Sequence, residues 1–328
     1  MPDLDLQIDR ARLDRIRHGA TVGITRPAVV RVTGSGALTC LQGLLTNDLE
    51  KPGNESLVYG ALLTPKGMIV VDAWVLRQGD TVTLVMPRSG HAAAIEIFTR
   101  TLPPRLARAT DLTDQAAVAW LVGGHGFQVL AKSGVPLPDA AGRVRTTGGD
   151  LSPVAVALAP EDAPFVAVAV GLSPALEQFV DRLESSGAAR GDETDLHVCR
   201  LLAGWPLLGA EIDERTLPQE VRYDAIGGVS YTKGCYTGQE TVARVHFRGH
   251  TNRELRGLRW NDPAPIGDRT VRRGEKELGT VRSTLALDDR RLGLAMLRRE
   301  VEVGETLAAG GREARVTALP FEADEVDG

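Results

Sequence analysis

The residue types best able to do chemistry are crowded into eight positions, Lys233-Gly234-Cys235-Tyr236-Thr237-Gly238-Gln239-Glu240. Cys235 is their nucleophile or soft ligand, because a thiolate attacks electrophiles and binds soft metals. Lys233, the arginines that follow, and a helix over residues 238 to 247 with Thr237 as N-cap would each favour the thiolate by placing positive charge near sulfur. Gly234 would let the backbone turn at Cys235, and Gly238 would clear space beside the helix start. Tyr236, Gln239 and Glu240 complete a mixture with no apolar period, for which an ordinary packed helix or strand has no use. On these residues alone, a cysteine wedged in a tight turn with a purely structural duty stays open.

Elsewhere the chemistry is sparser. Cys40 lies among the leucines of residues 36 to 46, and Cys199 shares a helical stripe with Leu196 and Ala203, so both read as small buried hydrophobes. Three widely spaced cysteines exclude a complete disulfide framework and a CxxC metal knuckle. His246 and His250 are four apart, yet Phe247 stands where a zinc-protease helix has glutamate and Gly249 interrupts the helix, so no metal site is assigned. Arg244, Arg248, Arg253, Arg256 and Arg259 face one nearby acid, Glu254; such a run is either a solvated face or a dock for an anionic ligand tail or RNA phosphate. No GxGxxG after a strand, no GxxxxGK[ST] and no GxSxG occurs, which leaves dinucleotide, P-loop and hydrolase readings unsupported.

A scaffold must position the segment, and 328 residues exceed the size at which one hydrophobic core keeps growing. Two or three domains are expected, filled from a 43% apolar composition. The formal net charge of -5 argues against a general nucleic-acid binder while leaving room for a local basic face. No run of about 18 apolar residues could span a membrane and the first residues are charged, so a cytoplasmic location and no membrane partner are expected.

The expected elements fall into two similar lobes and a β-rich end. Alternation predicts a strand over residues 28 to 33, and leucine spacing predicts a helix over 36 to 46 with Ser35 as N-cap. A hairpin over 57 to 76 turns at Thr64-Pro65-Lys66-Gly67, a strand covers 81 to 86, and a helix with Ile95, Phe98 and Leu102 stops at Pro103-Pro104. Strands at 116 to 122, 127 to 131, 153 to 158 and 165 to 170, with loops through 132 to 164, open the second lobe. A helix after Ser173-Pro174 carries Leu176, Phe179, Val180 and Leu183, and another runs from 192 to 203. Beyond residue 253 helices disappear into short strands, including 277 to 283, 291 to 297 and 313 to 318, which predict a small β-barrel. The fold class is α+β, with lobes at 1–112 and 113–250 and a barrel at 251–328.

The run KGCYTGQE, followed by Val242-Ala243-Arg244 and Arg248-Gly249, resembles the signature of the YgfZ family, folate-binding proteins linked to iron-sulfur cluster assembly or repair. Leu41-Gln42-Gly43 with Leu45-Thr46-Asn47-Asp48 looks like the family's N-terminal motif, and Pro65-Lys66-Gly67 like its hairpin turn. Arg200, Ala203-Gly204, Gly209, Ile212-Asp213 and Leu217-Pro218-Gln219-Glu220 are similar to a block of the glycine cleavage T-protein, the aminomethyltransferase, and Ala318-Leu319-Pro320-Phe321 also fits.

The resemblance implies the T-protein fold, α+β lobes enclosing a tetrahydrofolate pocket at their junction plus a C-terminal β-barrel. It implies a folate-binding accessory protein whose partners are iron-sulfur enzymes or assembly proteins, tRNA-modifying ones included; direct nucleic-acid binding is not expected, on the net charge. Cys235 and Lys233 are then the core of the motif. A pterin presents adjacent N–H donors that a carboxylate pairs with together, and Glu220 is the matching position. Arg244 and Arg248 would take the anionic tail, and Asn47 and Tyr236 complete the folate set. One cysteine cannot hold a cluster alone. The T-protein has consecutive aspartates after the hairpin glycine, one of them catalytic, whereas Asp72 is here the single acid and out of register. A folate-dependent aminomethyltransferase, or another one-carbon or demethylating enzyme, is the alternative; Asp72 facing the folate pocket would favour it, and Asp72 turned away would favour the accessory role.

Overall fold

β-Branched residues between Ala28 and Thr33 form an inner strand of the first sheet, in the computed structural model that describes residues 4–148 and 153–327. That antiparallel sheet has the order Ser56–Leu63, Ile69–Gln78, Thr81–Met86, Ala28–Thr33, Arg108–Asp111. The Ser56–Leu63 strand lies at the edge yet is buried at every position. Residues of the second lobe cover it: Leu57 donates to the carbonyl of Gly142, and Ser56 bridges Arg143. An edge with unpaired backbone groups is thereby satisfied across the lobe boundary.

The second sheet runs Ala189–Arg190, Thr21–Thr25, Ala116–Val122, Ala167–Leu172, Val154–Leu158, Val144–Thr146. Helix Ser173–Ser185 lays Leu176, Phe179, Val180 and Leu183 on it, as the 3.6-residue stripe requires. The third sheet closes on itself when Lys276–Ala286 pairs with Arg291–Arg298, making a six-stranded barrel. The N-terminal strand Leu4–Gln7 joins it in parallel alongside Lys276–Ala286. From strand Leu4–Gln7 on the barrel the chain crosses by helix Arg10–His18 and strand Thr21–Thr25 to the second sheet, and enters the first sheet only at Ala28.

Several local expectations change. Residues 127 to 131 belong to helix Gly126–Lys132, not a strand, with Val129 and Leu130 inward and Phe127 outward. The leucine-rich helix is only Ala37–Gln42, and Gly36 precedes it without a side-chain cap from Ser35. Its missing last turn becomes the loop 43–49, held by tertiary contacts described below. The stretch expected as loops at 132 to 164 contains strand Val144–Thr146, and its residues 149–152 lie outside the described chain. Helix Glu193–Leu202 turns Val198 and Leu201 fully inward, leaving Leu196 and Cys199 half-buried on its flank. A short helix, Ala323–Asp327, follows the barrel.

One buried ion pair ties lobe to barrel. Arg200 donates to Glu211 at 2.9 Å and to the Trp205 carbonyl at 2.7 Å, and its other nitrogen reaches Ser283 of the barrel at 3.3 Å. Ser283 donates in turn to Glu211. Both charges are out of water and are met by these bonds, which leave the Arg200 Nε–H buried without a partner.

Candidate functional site

Lys233 is the fastener of the motif. Its ammonium donates to the carbonyls of Gln42 and Leu45 at 2.7 Å each and of Asn47 at 2.8 Å. Those oxygens belong to the end of helix Ala37–Gln42 and the loop after it, where carbonyls have no intrahelical partner. Three protons meet three acceptors, and the residue is only 8% exposed. Burial pushes the ammonium down to about 8, while Asp48 and Glu50 act to raise it. The ring of Tyr236 closes the other side, its centroid 5.1 Å from the ammonium nitrogen.

Between these two buried side chains the backbone is pushed outward. Gly234 and Cys235 are exposed, whereas Lys233 and Tyr236 are buried. A β-carbon at Gly234 would meet nothing within 4 Å, so space does not demand glycine there. Gly238 is different: φ is 81°, and a β-carbon would come within 2.6 Å of the Thr64 carbonyl and 3.0 Å of Gly67 Cα. The hairpin turn thus packs directly on the start of helix Gln239–Arg248, whose N-cap is Gly238 and not Thr237. Thr237 instead donates its N–H to the Gly43 carbonyl at 3.1 Å. Gln239 donates its N–H to the Tyr236 carbonyl, and exposed Glu240 sits in the first helical turn, where a carboxylate complements the free N–H groups.

Asn47 works inside the same loop. Its amide donates to the carbonyls of Tyr59 at 2.8 Å and Gly227 at 2.7 Å, and its side-chain oxygen accepts from the Asp48 N–H. Thr46 reaches the Gly228 carbonyl at 2.6 Å. Both residues stitch the first lobe to the segment leading into the motif.

At the lobe junction lies an aromatic cluster that the sequence reading missed. Trp74 and Trp205 stack at 5.3 Å, Tyr59 leans on both, and Phe165 sits edge-on between Trp74 and Trp120. In a chain with 4% aromatic residues, convergence of three of its four tryptophans is the available signal. Asp72, two residues before Trp74 on the same strand face, points into this cluster. Its Oδ2 accepts from Tyr59 at 2.8 Å, Tyr59 lies 3.2 Å from the Tyr223 hydroxyl, and its Oδ1 is buried without a partner. Burial lifts the Asp72 carboxyl from 3.8 to about 6, against the lowering effect of the Tyr59 hydrogen bond. Asp72 therefore faces the junction but is screened by aromatic rings.

One cleft borders this core and a second is lined in part by barrel residues. The first, of about 560 Å³, is lined by Arg17, Glu161, Phe165, Cys199 and Leu202, beside the aromatic cluster. Burial pushes the Cys199 thiol up to about 12, so it is an inert lining group. The other, of about 890 Å³, lies between barrel and second lobe and includes Glu220, His250 and Arg253. Glu220 is 6% exposed with both oxygens engaged, Oε1 by Arg253 Nε and Oε2 by the Leu217 N–H, each at 3.0 Å. The free bidentate edge expected of Glu220 is thus already used in fastening the barrel. Arg244 and Arg248 are exposed on helix Gln239–Arg248, and neither they nor Asn47 and Tyr236 line the 560 Å³ cleft. His246 stacks on Tyr231 at 3.7 Å and approaches Asp224 at 3.4 Å. Among the described residues no group of three or more His, Cys, Asp and Glu is placed to hold a metal ion, and no helix is long and apolar enough to cross a membrane.

Comparison with known proteins agrees with this geometry. Residues 17–139 match the GCVT N-terminal domain model, and residues 253–322 match the CAF17 C-terminal beta-barrel domain model. The chain is 31% identical to the tRNA-modifying protein YgfZ of Serratia proteamaculans, over 80% of this chain and 79% of the relative. It is 27% identical to the protein of the same name from Cronobacter sakazakii, over 91% and 92%. Among solved structures, the glycine cleavage system aminomethyltransferase T of Bartonella henselae superposes with a TM-score of 0.77 at 18% identity, covering 95% of this chain and 89% of that one. That likeness establishes the T-protein fold.

Proposed function

The chain belongs to the YgfZ family, and from that premise we propose that it is a cytoplasmic folate-binding accessory protein using the Cys235 thiol in the assembly or repair of iron-sulfur clusters. The observation that carries the reading is the display of Cys235, an exposed thiol held between two buried anchors, Lys233 and Tyr236. Free cysteine is ordinarily buried as a small hydrophobe, so anchoring its neighbours while presenting the sulfur serves reaction with a partner. The cluster is cargo, toward which Cys235 offers one thiolate ligand or a bridge to the partner that carries it. Clients are iron-sulfur enzymes or assembly proteins, and the naming of the relatives as tRNA-modifying supports including enzymes of that kind.

The folate site assigned here is the 560 Å³ cleft, whose size suits a small-molecule site. Phe127, an exposed ring of its lining, gives a pterin a face, Glu161 a carboxylate for its aminopyrimidine edge, and Arg17, which also pairs with Asp327, a guanidinium for the anionic tail. When bound, tetrahydrofolate supplies a reduced pterin able to carry a one-carbon unit. Glu220 and Asn47 serve the scaffold in this reading.

The test is complementation of a deletion strain. Cys235→Ala is expected to keep fold and folate affinity while losing iron-sulfur enzyme activity; full restoration by the variant would remove the thiol from the mechanism. In titration calorimetry with tetrahydrofolate, Glu161→Ala is expected to weaken binding and Glu220→Ala to leave it nearly intact in folded protein. The reverse pattern returns the pterin to Glu220. A second reading, folate-dependent one-carbon transfer, draws on one observation: the unpartnered Asp72 Oδ1 facing the junction, on a carboxyl raised to about 6 and suited to a general base. Turnover with an aminomethyl donor, lost in Asp72→Asn, would select it.

A further inference from the structure

Arg253 opens one barrel strand and Arg298 ends its neighbour, and the two are register partners. With Arg215, His250 and Arg299 they line the 890 Å³ cleft. Arg253 is neutralised by Glu220 at 3.0 Å and Asp213 at 3.4 Å, and Glu300, the other acid in the lining, is held by Lys276 at 2.5 Å. Among the described residues Arg215, Arg298 and Arg299 make no ion pair, and all three are exposed. Three unpaired guanidinium groups thus share one cleft of a protein whose net charge is -5. Their mutual repulsion is relieved by a ligand bearing several negative charges.

The chain entering the cleft prolongs this character. Arg244 and Arg248 are exposed on helix Gln239–Arg248, and Phe247 between them is 65% exposed. Phe247 is braced edge-on by His246 and Tyr231, so it is a supported ring and not a loose one. Guanidinium groups alternating with a supported aromatic face match a chain of phosphates carrying stackable bases better than a chain of carboxylates, which has no use for the ring. The cleft is also too large for one phosphate. We propose that this cleft and the adjoining residues 244–250 form a surface for single-stranded RNA, with Arg215, Arg298 and Arg299 on phosphates and Phe247 under a base. The net charge pointed away from nucleic acid; the local distribution of arginine points toward it.

Fluorescence anisotropy of a labelled single-stranded oligoribonucleotide titrated with the full chain tests this. Binding should weaken with salt, and the variant Arg215→Glu/Arg298→Glu/Arg299→Glu should lose at least about tenfold in affinity. Its salt slope should fall by about 2, at about 0.7 per lost phosphate contact on a single strand. Phe247→Ala should weaken binding with the salt slope unchanged. The charge-matched control Arg105→Glu/Arg108→Glu/Lys132→Glu, outside the cleft, should bind like the parent apart from a small uniform loss. If the glutamate variant unfolds, the three-glutamine variant replaces it with the same expected direction. No binding by the parent, equal loss in the control, or binding of oligoglutamate without binding of RNA overturns the proposal.

Discussion

Replacing Asp72 by asparagine isolates the cost of holding a carboxylate inside the aromatic junction. The carboxyl is lifted from 3.8 to about 6 by burial, so the native state binds its proton more tightly than the unfolded chain does. Between about pH 4 and pH 6 the native state therefore holds more protons, and stability contributed by this site falls as pH rises through that window. Above about pH 6 the full cost is present, and the difference of about 2.2 in pKa corresponds to about 3 kcal/mol. Asparagine keeps an acceptor for Tyr59 and places an amide where Oδ1 has no partner, a change that does not titrate. The difference in unfolding free energy between Asp72→Asn and parent should thus move by about 2.4 kcal/mol in favour of the variant from pH 4 to pH 7, the rest of the effect lying below pH 4. Urea unfolding followed by tryptophan fluorescence suits the site, because Trp74 and Trp205 are stacked within it. A difference that stays flat across this range would show that Asp72 is not a buried, titrating carboxylate, and the argument for a shielded junction would fail with it.

Three further outcomes follow from the same packing. Lys233→Met should cost about 3 kcal/mol in urea unfolding, since three carbonyls lose a charged donor at roughly 1–3 kcal/mol each while a buried charge is removed; an unchanged midpoint would mean the ammonium is not the fastener. Gly238→Ala should destabilise by at least about 1–2 kcal/mol from the left-handed backbone alone, before its clash with Thr64, whereas Gly234→Ala should be neutral; thermal melting of the two variants compares them directly. Glu211→Ala should cost about 3–5 kcal/mol by stranding the Arg200 charge, and hydrogen exchange should rise first where Ser283 meets the second lobe.

Much of the fold could be read from local pattern because the elements concerned bury one regular face. Helix Ser173–Ser185 and the hairpin Ser56–Gln78 are of that kind, and periodicity is the physical cause of their packing. Residues 127 to 131 defeat the same reasoning, since five apolar-rich positions fit a strand or a helix equally and only the exposure of Phe127 distinguishes them. The motif around Cys235 stood out by composition, yet its geometry depends on carbonyls 186 to 191 residues away, which no spacing rule could supply. Glu220 looked available as a ligand because Arg253, the residue that occupies it, is 33 positions further on. Gly234 has open space around it and no left-handed backbone, so neither crowding nor conformation reserves the position for glycine.

Long-range contacts also link the thiol segment to the aromatic lobe junction. Lys233 holds the carbonyl of Asn47; the Asn47 amide holds the carbonyl of Tyr59; the Tyr59 hydroxyl holds Asp72 and touches Tyr223. The links through Asn47, Tyr59 and Asp72 are 2.8 Å hydrogen bonds in buried or half-buried settings, where their loss is felt more than at the surface. The aromatic junction is thus joined by hydrogen bonds to the loop 43–49 and, through Lys233, to the residues flanking Cys235. Lys233 accordingly has a duty beyond placing charge near a thiol. Its ammonium is directed at three carbonyls, and those bonds fix the backbone on one side of the exposed sulfur.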